Sequence, residues 1–180
     1  MTTKIYSVFP ACGKTWLYEH QEDYNLKILD SDSSQFSWTK CYDPHGQLVT
    51  KFRNPDFPDN YIQHIKENIG KYDYIFVSSH AEVRESLDRE GIEFTIVYPE
   101  QRCKAEWIGR CFIREQNGES GCSAKLMYDN WDQWIFECVE TGRGHNEIVL
   151  GSDEYLSDLF YVQEDWERWL KELAGLKPFG

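Results

Sequence analysis

The sequence predicts an α/β protein built around a parallel sheet that is flanked by helices. Short apolar runs alternate with longer helical patterns, which is typical of strands joined by helical crossovers. Five such runs can be identified, at residues 4–8, 26–29, 72–77, 94–98 and 147–150. A chain of 180 residues is long enough to bury a proper core in one domain. We therefore expect a single domain over residues 1–180 with a five-stranded parallel sheet.

The charge and composition of the chain restrict its partners. There are 19 Lys and Arg residues against 31 Asp and Glu residues, a formal net charge of −12. A duplex DNA or RNA binder needs a broad basic face, so the charge argues against a duplex partner. No apolar stretch approaches the roughly 18 residues that span a membrane. The six cysteines show no C-x-x-C spacing, and we expect them to be reduced thiols in a cytoplasmic protein.

The first strand leads into a segment with the pattern of a phosphate-binding loop. A turn containing Pro10 follows the strand, and a helix is predicted to begin at Gly13-Lys14-Thr15. In such a loop, backbone N–H groups point at phosphate oxygens, the lysine reaches the terminal phosphates, and the hydroxyl ligates Mg²⁺. The expected cofactors are thus ATP and Mg²⁺. The residues expected to hold them are Pro10, Ala11, Cys12, Gly13, Lys14, Thr15 and Trp16.

The loop departs from the motif G-x-x-x-x-G-K-[ST] at its first position. Val8 stands where the motif has a glycine, and valine resists a backbone with positive φ. Pro10 fixes one dihedral, so we expect the loop to take a slightly different path. The structural alternative is a Gly-Lys turn that merely precedes a surface helix.

Polar residues follow the second strand, in the segment DSDSSQFSW. Asp30, Asp32, Ser33 and Ser34 are cap and turn residues by type. They also follow the carboxyl end of a predicted parallel strand, where open α/β sheets bind ligands. Two interpretations stay open, a helix cap or a place near the acceptor substrate and the metal. Residues 39–60 are expected to be an irregular connection, in which Arg53 is the only arginine.

The middle of the chain supplies one more candidate phosphate ligand. A helix is predicted over residues 59–69, then the strand 72–77 and a helix over 81–90. Arg84 lies on the latter helix and could meet an acceptor phosphate. The strand ends in serines rather than in the acidic residue that many P-loop proteins carry there. His80 is expected to cap or pack rather than to act as a base.

The second half of the chain contains a candidate lid. A helix over residues 101–115 places Arg110 and Arg114 on one face, because four positions separate them. A polar loop with two glycines follows, and then a helix over 124–138. An arginine pair before such a loop suits a lid over phosphates. The alternative is a solvated face paired to Glu106 or Glu115. A last helix is expected over 165–173.

These segments together resemble the nucleoside monophosphate kinase group of P-loop proteins, the adenylate-kinase-like branch. The chain is similar in particular to small proteins encoded by phages and mobile elements of Gram-positive bacteria. The resemblance covers nearly the whole chain, and implies a three-layer P-loop NTPase fold with a small lid. It is carried by SVFPACGKTWLYEH, LKILDSDSSQFSW, RNPDFPDNYIQHIK, YIFVSSHAEVRESL and EWIGRCFIRE.

The resemblance also implies roles for particular residues. Lys14 would hold the donor phosphates, and Thr15 with Asp30 would bind the metal. An acceptor-binding insertion would span about residues 31–70, and a lid about residues 110–124. The acceptor ligands implied are Asp30, Ser33, Arg53 and Arg84, and the catalytic residues are Lys14, Asp32, Arg110 and Arg114.

The expected function is ATP-dependent phosphoryl transfer to a nucleoside or deoxynucleoside monophosphate. Catalysis would then be positioning and charge neutralisation, with no general base. Polynucleotide kinases and zeta-type toxins instead phosphorylate a hydroxyl, and Asp30 or Asp32 would then be the base. A third possibility is a protein that binds ATP or a partner without catalysis. The expected partners are nucleotides, with no membrane and no duplex nucleic acid.

Overall fold

A computed structural model describes residues 2–119 and 121–160 of the chain. Its centre is a five-stranded parallel sheet in the order β2-β5-β1-β6-β7. These strands are β1 (Lys4–Val8), β2 (Ile28–Asp30), β5 (Tyr74–Ser78), β6 (Thr95–Pro99) and β7 (Asn146–Leu150). The predicted α/β class and the five parallel strands are confirmed.

Helices connect and flank the strands. They are α1 (Lys14–Glu19), α2 (Ser34–Ser37), α3 (Asp59–Asn68), α4 (Ala81–Arg89), α5 (Lys104–Gln116) and α6 (Ala124–Gly142). Short 3₁₀ turns lie at Gln101–Cys103 and Leu156–Leu159. Helix α6 continues four residues past the predicted end at Cys138, so the loop predicted to begin at Thr141 starts later. The helix predicted over 165–173 lies outside the described residues.

The core lies on the central strands and beneath α5 and α6. Ile75, Phe76 and Val77 of β5 are fully buried, as the continuous apolar run of a central parallel strand requires. Two fully buried tryptophans, Trp107 of α5 and Trp131 of α6, fill the space beside the sheet. This packing fixes the first strand and the loop that follows it.

The expectation of an irregular connection over residues 39–60 is wrong. Strands β3 (Trp38–Tyr42) and β4 (Leu48–Arg53) form a separate antiparallel ribbon. The Asp43 carboxylate organises its turn by accepting from the N–H groups of His45 at 2.9 Å and Gln47 at 2.8 Å. No residue of either strand is buried, so a search for apolar periodicity has nothing to detect.

The expectation of six reduced cysteines is also wrong. Cys111 and Cys122 form a disulfide, with Cα atoms 5.5 Å apart. Gly118 and Gly121 turn the chain back towards α5 with φ of 75° and 98°, a backbone that glycine adopts without a steric cost. Within residues 2–119 and 121–160, no helix is long and apolar enough to cross a membrane.

Candidate functional site

The loop between β1 and α1 has an unusual backbone. Val8 is the last residue of β1 and pairs with Ser78 and Val97 in the neighbouring strands. The position where the motif has glycine is therefore extended strand, which valine adopts readily. The left-handed conformations fall instead on Ala11, with φ 61°, and Gly13, with φ 90°. A non-glycine residue in this region costs on the order of 1–3 kcal/mol, and such strain concentrates at functional sites.

The backbone N–H groups of residues 11–16 have no hydrogen-bond acceptor in the part of the chain that the structure describes. Ala11 and Cys12 are buried, so the start of the loop is held firmly by the core. Successive free N–H groups in a turn that opens a helix form a concave site for an anion. Trp16 points outward at 46% exposure, and its ring stacks on His20 with centroids 4.1 Å apart.

Three side chains meet beside this loop. The Thr15 hydroxyl donates to Asp30 Oδ2 at 3.1 Å, and Lys14 Nζ lies 3.9 Å from Asp30 Oδ1. Asp30 ends β2, which is separated from β1 by β5 alone. An acidic group therefore does reach the loop, but it comes from β2 and not from the end of β5, where the chain has Ser78 and Ser79.

The donors beside the loop fit a magnesium ion. A hydroxyl and a carboxylate are hard oxygen ligands, and Mg²⁺ is usually held by one or two carboxylates plus phosphate oxygens and waters. The described residues contain no group of three or more His, Cys, Asp or Glu that could hold a metal ion without a nucleotide. Thr15 and Asp30 would thus hold the metal together with bound phosphates.

The carboxylate of Asp32 makes the contacts of a turn residue. It accepts from the Ser34 N–H at 2.9 Å and from the Ser34 hydroxyl at 2.6 Å, at the start of α2. Ser33 is 5% exposed, and its carbonyl accepts from Phe36 and Ser37. The Tyr61 hydroxyl donates to the carbonyl of Ser31 at 2.7 Å, which fixes the residue between the two aspartates. Asp32 itself remains solvent-exposed.

Two of the predicted acceptor ligands have structural partners. Arg84 is 3% exposed, donates from Nε to the Thr141 hydroxyl at 3.1 Å, and also bonds the Ser79 carbonyl. This geometry joins α4 to α6 and does not present the guanidinium at the surface. Arg53 is exposed and pairs with Glu82. Its guanidinium lies 4.5 Å from the Phe57 ring centroid.

Arg110 and Arg114 face different surroundings. Arg110 pairs with Glu106, and its guanidinium lies 3.8 Å and 3.9 Å from the ring centroids of Trp107 and Tyr155. Arg110 also donates to the Ala11 carbonyl at 3.5 Å, so it adjoins the loop. Arg114 pairs with Glu119 at 3.0 Å in the segment before α6. The structure thus brings Arg110 to the loop, and pairs Arg114 with the segment before α6.

Sequence reasoning missed the segment after β7. The Leu156 N–H donates to the Cys12 carbonyl at 2.9 Å, and a Cβ on Gly13 would lie 3.4 Å from the Tyr155 ring. These contacts close one side of the loop. The signal was available, because residues 151–158 follow a parallel strand at the same carboxyl edge of the sheet.

The surroundings of the loop change the pKa values of two side chains, Cys12 and His80. Burial raises the pKa of the Cys12 thiol to about 12, so this cysteine is inert at neutral pH. Burial also lowers the pKa of His80. The Glu82 carboxylate opposes this shift, and the positive charges of Arg53 and Lys14 add to it. His80 Nδ1 lies 3.2 Å from the Ser78 hydroxyl.

A scan against models of protein families finds no match for the chain, and a search of curated proteins finds none either. The chemistry of the site is therefore derived from its own residues. They are a loop of free backbone N–H groups with a lysine, a hydroxyl and a carboxylate at the carboxyl edge of a parallel sheet.

Proposed function

We propose that the chain is a P-loop phosphotransferase that moves the terminal phosphoryl group of ATP to a nucleoside or deoxynucleoside monophosphate. One observation carries the proposal. The loop that carries the free N–H groups of residues 11–16 also carries Lys14 and Thr15, and both side chains contact Asp30 at the end of β2. A lysine beside unpaired backbone donors suits donor phosphates, and the adjacent oxygen pair suits their magnesium ion.

Each residue then has a part in positioning charge. Lys14 would move from Asp30 to the transferring phosphoryl and neutralise its developing charge. Thr15 and Asp30 would hold Mg²⁺, which would supply further charge neutralisation on the donor phosphates. Arg110 is the lid arginine nearest the loop, and would reach the phosphates by exchanging its Glu106 partner. An acceptor phosphate is already ionised, so this reaction needs no general base.

A hydroxyl-directed kinase is the second candidate, and the exposure of Asp32 favours it. Asp30 and Asp32 flank Ser31 at the carboxyl end of β2, and Asp32 is open to solvent. A substrate hydroxyl could replace Ser34 as its hydrogen-bond partner and transfer a proton to it. A protein that binds ATP without catalysis is the third candidate, and Ala11 at the strained loop position is compatible with it.

An acceptor screen tests the three candidates. The protein, Mg²⁺ and γ-labelled ATP would be incubated with each ribo- and deoxyribonucleoside monophosphate, with nucleosides, and with a 5′-hydroxyl oligonucleotide. We expect label to move to one monophosphate, and Lys14→Ala to lower the rate by roughly 100-fold or more. Lys71→Ala, at an exposed lysine away from the loop, is the matched control.

The other outcomes are equally informative. Label on a hydroxyl would replace the monophosphate kinase by the second candidate. ATP binding without transfer to any acceptor would support the third. Failure to bind ATP at all, with Lys14→Ala indistinguishable from the unaltered chain, would contradict the P-loop assignment.

A further inference from the structure

One face of the β3–β4 ribbon collects cations and aromatic rings. Side chains at alternate positions of a strand share a face, so Trp38, Lys40 and Tyr42 lie on the same side of β3. Arg53 is the cross-strand partner of Trp38, and Lys51 is the partner of Lys40. The Lys51 ammonium lies 4.9 Å from the Trp38 ring centroid, and the Arg53 guanidinium 5.8 Å. We call these five residues the ribbon face.

The ribbon has the opposite charge to the rest of the protein. Residues 38–53 contain three Lys and Arg residues and one acidic residue, Asp43, while the rest of the chain contains 16 basic and 30 acidic residues. The net charge is therefore +2 on the ribbon and −14 elsewhere. Such a local excess attracts an anionic partner at short range, where the Debye length of about 8 Å screens the rest of the protein.

The placement of the two lysines itself points to an anion. Lys40 and Lys51 are direct cross-strand partners, and like charges in this arrangement destabilise a ribbon. Within residues 2–119 and 121–160, neither lysine forms an ion pair with a carboxylate. The Trp38 ring offsets part of this repulsion at Lys51, and a bound anion would offset it at both lysines.

We propose that the ribbon face binds single-stranded nucleic acid, with bases stacked on Trp38 and Tyr42 and phosphates on Lys40 and Lys51. Tyr42 is 58% exposed, and Trp38 is 37% exposed although its ring lies near Lys51 and Arg53. Proteins that bind single strands without sequence preference combine a cationic surface with aromatic platforms in this way. A duplex would need a broad basic face, which the acidic body does not provide.

This surface goes beyond the proposed phosphotransfer, because none of its residues belongs to the phosphate-binding loop. An acidic peptide is the main rival as occupant, since it would also pair with the two lysines. The nucleic acid is favoured because the face alternates cations with exposed rings, and a chain of carboxylates has no π-surface to stack on them.

Binding can be measured by fluorescence anisotropy with the full chain and a labelled dT oligomer of about ten nucleotides. We expect affinity to fall with salt, with a slope of about −0.7 per phosphate contact. The double variant Lys40→Gln/Lys51→Gln should reduce the slope by about 1.4 and weaken binding at low salt about tenfold or more. Trp38→Leu and Tyr42→Leu should each weaken it about fivefold or more.

Matched controls separate this surface from the rest of the protein. Lys125→Gln and Phe136→Leu change an exposed lysine and an exposed ring on α6, and should leave binding unchanged. Lys14→Ala should also leave oligomer binding unchanged, which distinguishes failure of this proposal from failure of the phosphotransferase. Circular dichroism and thermal melts would establish that each variant is folded.

Three results would overturn the proposal. The first is no oligomer binding at low salt, or equal binding by the ribbon variants and the control variants. The second is equal affinity for a polyglutamate peptide, which would show that the face binds any polyanion. The third is equal affinity for dTMP, which would show that a single nucleotide occupies the whole face.

Discussion

The loop between β1 and α1 and the ribbon both offer positive charge in an acidic protein, but they are built in opposite ways. The loop follows a buried strand, and its lysine lies 3.9 Å from a carboxylate. The ribbon has no buried strand residue, and its lysines face each other. Binding at the loop should therefore depend on backbone shape and burial, whereas binding at the ribbon should depend on surface charge. Four predictions test this contrast, in order of decreasing effect.

The largest difference should appear in cysteine reactivity. Cys12 in the loop is buried with a pKa raised to about 12, while Cys41 in the ribbon is partly exposed. Because the thiolate is the nucleophile, only about 10⁻⁴ of Cys12 is reactive at pH 8. Iodoacetamide at this pH should modify Cys41 and spare Cys12 by peptide mass mapping. Denatured protein, modified at both, is the control, and equal rates in the folded protein would refute the prediction.

The second-largest difference should appear between substitutions of the two aspartates at the carboxyl end of β2. Asp30→Asn removes the partner of Thr15 and Lys14, and should lower phosphoryl transfer roughly 100-fold and weaken its dependence on Mg²⁺. Asp32→Asn keeps a side chain that can cap α2, and should change transfer to a phosphate acceptor less than about threefold. Steady-state rates across a Mg²⁺ series would measure both. A larger loss in Asp32→Asn would contradict transfer without a general base.

A pair of glycine substitutions compares the two backbones. Gly13 has φ 90° in the loop and Gly46 has φ 80° in the ribbon turn, so alanine should cost about 1 kcal/mol at either site. We expect each variant to lower Tm by about 2–4 °C. Only Gly13→Ala should also abolish stabilisation by ATP, since it alone strains the backbone of the loop whose free N–H groups would hold the phosphates. Equal ATP stabilisation in both variants would place the nucleotide elsewhere.

The smallest effect concerns His80, whose pKa reports the charge of both regions. Burial is the main cause of its lowered pKa, and Arg53 of the ribbon and Lys14 of the loop lower it further. A lowered pKa means that the neutral ring stabilises the fold above pH 6.5 and that this stabilisation is lost as the pH falls. Arg53→Gln and Lys14→Met should each raise the pKa in an NMR titration. Glu85→Gln, on the exposed side of α4, should leave it unchanged.

The sequence was sufficient to predict the strands and helices that form the core. Strands β1, β5 and β6 each contain buried apolar residues, and the chain alternates them with helices, so their order along the chain could be predicted. The position of Asp30 beside the loop follows from its place at a strand end. Apolar periodicity does not reveal the ribbon, because no residue of β3 or β4 is buried.

Other features of the structure involve partners that are distant in the chain. Arg84 has the residue type of a phosphate ligand, but burial against Thr141 can be known only from the packing of α4 on α6. The Cys111–Cys122 bridge depends on a reversal at two glycines, which no spacing rule specifies. Tyr155 lies 142 positions from Gly13, and only the fold brings them together.

The disulfide gives the second half of the protein a covalent connection that does not run through the peptide backbone. Arg114 lies inside the ring that Cys111 and Cys122 close. A trypsin cut after Arg114 would therefore separate the chain into two fragments that stay linked through sulphur. The nicked protein would migrate as one species on a gel without reductant and as two species once the bridge is reduced.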